Sequence, residues 1–127
     1  MSNFNLEEKI KELRTEEYIW IIYIGIIILS FISNYYEKNY FVYKDNNSKD
    51  KYRKIMVLIF SILIVVYLYF LKDAYDSLKN LKSTDSKQKR DLTYLSFIGS
   101  LLIAISGFIF LFITLLDQDI DVEIAFN

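Results

Sequence analysis

Three long apolar stretches set the pattern of this chain, at 18–33, 55–71 and 92–116, and charged segments separate them. None of the three contains a charged residue or a proline. As a helix, the 25-residue third stretch spans about 37 Å at ~1.5 Å per residue, more than the ~30 Å hydrocarbon core of a bilayer. The first stretch is short for a span, but Asn34, Tyr35 and Tyr36 extend it through the interface to 36. The second continues beyond Leu71 at helical spacing through Tyr75, Leu78 and Lys82, which predicts a helix leaving the membrane and ending near 81. Asp85 and Ser86 are candidate caps for the third helix, which then begins before its apolar block.

The segments between these blocks are polar. Residues 1–17 carry a narrow apolar stripe of Leu6, Ile10 and Leu13 and a capping-box spacing at Asn5 and Glu8, predicting a short amphipathic helix at the membrane surface. A cleaved signal peptide is not expected, because this leader is net acidic and no small-residue cleavage site follows the apolar block. The stretch 34–54 is expected to be a loop, with Tyr35, Tyr36, Tyr40, Phe41 and Tyr43 crowding its first half and Lys49, Lys51, Arg53 and Lys54 closing it. Residues 117–127 form an acidic tail, expected to stay off the more basic side of the membrane. Its Asp117, Asp119, Asp121, Glu123 spacing fails as a calcium loop, since Val122 stands where a glycine is needed. Alternation with Ile120, Val122 and Ile124 leaves a short pairing strand as the other reading of the tail.

The expected fold class is therefore all-α: an integral membrane protein with three transmembrane helices and a short N-terminal amphipathic helix. The spans fall at about 18–36, 55–71 and 92–116, so that 18–116 is one membrane domain. The alternative is a water-soluble bundle, and tyrosine placement argues against it. All eleven tyrosines and the single tryptophan lie outside the apolar blocks or within about two turns of their ends. Phe60, Phe108 and Phe110 occupy the middles. An amphipathic ring gains at headgroup level, whereas a soluble core has no reason to sort Tyr from Phe by depth. Tyr18, Trp20, Tyr35, Tyr36, Tyr67, Tyr69 and Tyr94 are the expected interface anchors.

Composition removes whole classes of chemistry. The chain has no Cys and no His, hence no thiol nucleophile, no disulfide and no thiolate or imidazole metal ligand. A net charge of −1 offers no global field for nucleic acid. No ionisable group lies inside any apolar block, and Ser96, Ser100 and Ser106 have no base within the membrane to activate them. No catalytic residue, cofactor or metal is expected, and the bilayer is the expected environment. Lys and Arg number three before the first span, six in the first loop, six in the second and none in the tail. The totals of nine against six predict a cytoplasmic N-terminus and an outside C-terminus.

One feature of the third block points to a use. Thr93, Ser96, Gly99, Ser100, Ala104, Ser106, Gly107 and Thr114 are its only Gly, Ala, Ser and Thr residues. On a helical wheel they fall within about 160°. Helices associate in lipid through close contact and hydrogen bonds, both of which favour such residues. Ser96, Gly99, Ser100, Ala104, Gly107 and Thr114 are accordingly the candidate helix-contact face. It can serve helices one and two of the same chain, another membrane protein or a second copy, or a hydroxyl-lined pore. The expected function is a non-catalytic accessory or assembly subunit. The alternative is a homo-oligomeric pore-forming, holin-like permeabiliser, although an acidic tail stands here where holins carry a basic one.

Overall fold

The computed structural model describes residues 6–124. Three helices account for most of them: α1 (Leu6–Tyr43), α2 (Asn46–Lys79) and α3 (Lys87–Leu116). No strand occurs among the described residues. Each helix is long and apolar enough to cross a membrane. The chain thus has the build of a three-span membrane protein.

The helices overrun their apolar blocks. Residues 6–17 do not form a separate surface helix but are the opening turns of α1. Nothing between Leu6 and Tyr43 breaks a helix, since the segment has no proline and its only glycine is Gly25. Asn5, the expected cap, lies outside the described residues. The loop expected at 34–54 is reduced to Lys44 and Asp45. Lys44 turns the chain with a left-handed φ of 56°. Asp45 then caps α2, accepting from the Asn47 amide at 3.1 Å and the Ser48 hydroxyl at 2.8 Å. Those bonds, the Ser48 hydroxyl first, hold its carboxyl below the usual range.

The tyrosines read as loop residues prolong α1 because α2 gives them something to pack on. Tyr36 lies against the α2 core, and the Lys51 and Lys49 ammonium groups sit over the Tyr36 and Tyr40 rings at 5.3 and 5.4 Å. At the other end α2 stops at Lys79, close to the expected 81. Of the two offered caps, Ser86 is the one used, accepting from the Lys89 amide at 3.1 Å. Asp85 instead closes the turn, accepting from the Lys82 amide at 2.7 Å and pairing with Lys89 at 3.2 Å.

The core runs along α2. This helix lies between α1 and α3, which make no close backbone approach to each other among the described residues. Tyr52, Met56, Ile59, Phe60, Leu63, Ile64 and Val66 are buried, Phe60 completely. From α1, Tyr23, Ile26, Leu29 and Tyr36 pack on this row; from α3, Phe110, Leu111 and Ile113 do. The outer faces of the flanking helices are exposed and apolar, with Ile24, Ile28 and Phe31 on α1 and Leu102, Ile109 and Phe112 on α3. Side chains so placed suit acyl chains and not water.

The tail is not a free appendage. Asp117 caps α3 and its carboxylate accepts from the amides of Asp121 and Val122 at 3.2 and 2.8 Å. Ile120, at φ 49°, reverses the chain and returns Ile124 to the core beside Tyr52 and Met56, 7% exposed. Asp119 meets Lys49 at 3.6 Å. The acidic tail thus lies along the start of α2, on the first-loop side, because that end supplies both a hydrophobic seat and opposite charge.

Candidate functional site

The small residues of α3 form one stripe with two environments. Toward its C-terminal half most of the stripe is consumed within the chain: Ala104, Gly107 and Thr114 are buried, and Ser106 alone is exposed. A Cβ on Gly107 would stand 3.0 Å from Cδ2 of Tyr67 and 3.3 Å from Cγ1 of Ile64, so the glycine is what lets α2 and the Tyr67 ring approach. Thr114 turns its hydroxyl back to the Phe110 carbonyl at 2.9 Å, which removes its hydrogen-bonding need from the interface.

Toward the second loop the stripe is open. The place where Gly99 would carry a Cβ has no atom within 4 Å. Ser96 is exposed and Ser100 half-buried. Both line a cleft of about 270 Å³ with Tyr23 of α1, Tyr67, Asp73 and Ser77 of α2. A second cleft of about 460 Å³ continues along α2 and α3 past Thr93 to Ser86. The rings of Tyr75 and Phe97, with centroids 6.2 Å apart, still tie the two helices across this end.

Hydroxyl bookkeeping separates Ser96 and Ser100 from the rest. Ser30, Ser33, Ser61, Thr93 and Ser106 each donate to a carbonyl of their own helix, at 2.7 to 2.9 Å. Neither Ser96 nor Ser100 has a hydrogen-bond partner among the described residues. In an apolar medium an unpaired hydroxyl is costly, and a neighbouring helix is the usual source of its partner.

Carboxylates gather where the cleft reaches the second loop. Burial raises the Asp73 carboxyl above its usual range, and the charge and hydrogen bond of Glu12, then Glu16 and Asp76, push it the same way. Glu12 also pairs with Lys9 at 3.5 Å. This group lies at the first turns of α1, beyond the apolar blocks.

The expected anchors divide. Tyr18, Trp20, Tyr35 and Tyr94 point outward and are more than half exposed. Tyr36 and Tyr67 turn inward onto the core, and Tyr69 is half-buried. One participant escapes a reading of the sequence, and another was read there only as an interface anchor. Tyr52, 4% exposed, is raised above its ordinary range by burial and by a hydrogen bond to Glu37 of α1, with the charge of Asp117 beyond α3 adding to it. Tyr67 packs against Gly107, and the small-residue stripe of α3 was the signal that some ring or helix would approach there. Comparison with known protein families, curated proteins and solved structures gives no match.

Proposed function

We propose that this chain is a non-catalytic membrane subunit that receives a transmembrane helix of another membrane protein in the cleft beside Ser96, Gly99 and Ser100. One observation carries this reading: two hydroxyls with no partner among the described residues line an open groove next to a glycine that faces open space, while Ala104, Gly107 and Thr114 further along the same stripe are buried. A helix crossing at Gly99 gains close backbone approach and supplies acceptors for both serines. The absence of any charged residue within the apolar blocks supports a role in assembly over one in catalysis or ion coupling. The Lys and Arg totals of nine against six favour a cytoplasmic N-terminus, testable with a reporter active on one side only.

The test is affinity purification of the full chain in mild detergent from cells making wild type, Gly99→Leu or Ile109→Ala. Gly99→Leu is expected to keep the fold, since its side chain meets open space, and to lose a co-purifying membrane protein that the outer-face variant Ile109→Ala retains. Equal recovery by all three chains refutes the site. Dye release from vesicles by the wild-type chain alone, abolished by Gly99→Leu, replaces this reading with the self-assembling pore.

A further inference from the structure

Four cations crowd the start of α2: Lys49, Lys51, Arg53 and Lys54. They are not equivalent. Lys49 is held by Asp119 and Tyr40, and Lys51 lies over Tyr36. Arg53 spends one Nη on the Leu115 carbonyl at 3.1 Å, satisfying an orphan acceptor in the last turn of α3. Its Nε–H is buried without an acceptor, and no carboxylate pairs with its guanidinium among the described residues. Lys54 is exposed and makes no hydrogen bond or ion pair among the described residues. Arg53 and Lys54 line one cleft of about 270 Å³ together with Asp50 and Val57.

The depth of this cleft is fixed by the sequence. Lys54 is the last polar residue before the apolar block begins at Ile55, and Val57 lies within it. The cleft therefore straddles the edge of the hydrocarbon, with charge above and an apolar floor below. Long cationic side chains at that level extend toward headgroups, and a phosphate is the anion present there. A guanidinium and an ammonium lining one opening suit phosphate oxygens, each as a charge-assisted donor. Two cations against the one Asp50 carboxylate leave the cleft net positive, and the phosphate present at this level is a lipid phosphodiester.

We infer that the Arg53–Lys54 cleft binds the phosphodiester headgroup of an anionic membrane phospholipid, independently of any helix docked at Gly99. The lipid tails then lie along the exposed apolar surface of α2 beyond Val57.

Native mass spectrometry of the purified full chain, offered equimolar phosphatidylglycerol and phosphatidylcholine in detergent, tests this directly. Wild type is expected to retain phosphatidylglycerol over phosphatidylcholine by about tenfold, the order set by two cations near one anionic headgroup. Lys54→Gln, which disturbs no contact, should cut that preference by about threefold. Arg53→Gln combined with Lys54→Gln should abolish it, whereas Lys82→Gln with Lys87→Gln at the other end should leave it intact. Excess inorganic phosphate should not displace the lipid. Equal retention of both lipids by wild type, an unchanged preference in Lys54→Gln, an equal loss in the far-end variant, or displacement by free phosphate would each overturn the assignment. If the double variant fails to fold, Lys54→Gln alone decides.

Discussion

Gly107 and Gly99 lie on one face of α3, and substitution should separate their roles. Leu at 107 must displace Tyr67 and Ile64, a change expected to destabilise the α2–α3 contact by about 1–3 kcal/mol. A thermal melt in detergent would register it, while Gly99→Leu should melt like wild type. Asp73 offers a pH test. Below the ordinary Asp value of 3.8 its carboxyl is protonated in folded and unfolded chains alike and costs nothing. As pH rises, the unfolded chain releases its proton first, so stability falls until the folded carboxyl also ionises, and then stays low. Melting temperature is therefore expected to decline as pH rises above 3.8. Asp73→Asn should flatten that decline and raise the plateau; a decline of unchanged size in Asp73→Asn would assign it to other groups.

At the scale of elements, the α1–α2 turn and the tail are the local devices. Lys44 holds a left-handed backbone that glycine adopts freely, so Lys44→Gly is expected to stabilise the turn by up to about 1 kcal/mol. Chemical denaturation of the two chains would show it. The tail is held by Ile124 as much as by charge. Ile124→Asp should release residues 118–124, detected as faster amide exchange at Asp121 and Val122 without loss of helix content. Unchanged protection would mean that the Asp119 pair and the Asp117 cap suffice. Exposed ion pairs contribute little, which favours the first outcome.

For the whole molecule, α2 is the element on which the other two depend. Phe60 touches the Phe110 ring of α3, centroids 5.8 Å apart, and belongs to the cluster on which Tyr23 and Ile26 of α1 pack. Phe60→Ala is expected to cost about 3–5 kcal/mol and to loosen both flanking helices together. Cross-linking between α1 and α2 and between α2 and α3 should weaken in parallel; loss at one interface alone would contradict a shared core.

Helical class, the number of apolar helices and a cap at Asp85 or Ser86 were legible from the sequence, because each rests on local chemistry: uncharged runs of span length, and a short polar side chain ahead of a helix. The stripe on α3 was visible for the same reason, as a property of one helix at about 100° per residue. Which part of that stripe is spent and which is open belongs to tertiary structure, since it depends on where Tyr67 and Ile64 of another helix stand. The continuation of α1 beyond Tyr36, through Tyr40 to Tyr43, was hidden likewise: Lys49, which sits over the Tyr40 ring, follows a turn whose geometry composition does not encode. The seat of Ile124 beside Tyr52 joins residues some seventy positions apart, and no local rule reaches that far. Sequence by itself determined how each segment meets lipid or water, because that preference is additive along the chain. Tertiary structure decided which apolar faces meet each other, because every face of these helices is greasy enough for lipid and only shape distinguishes them.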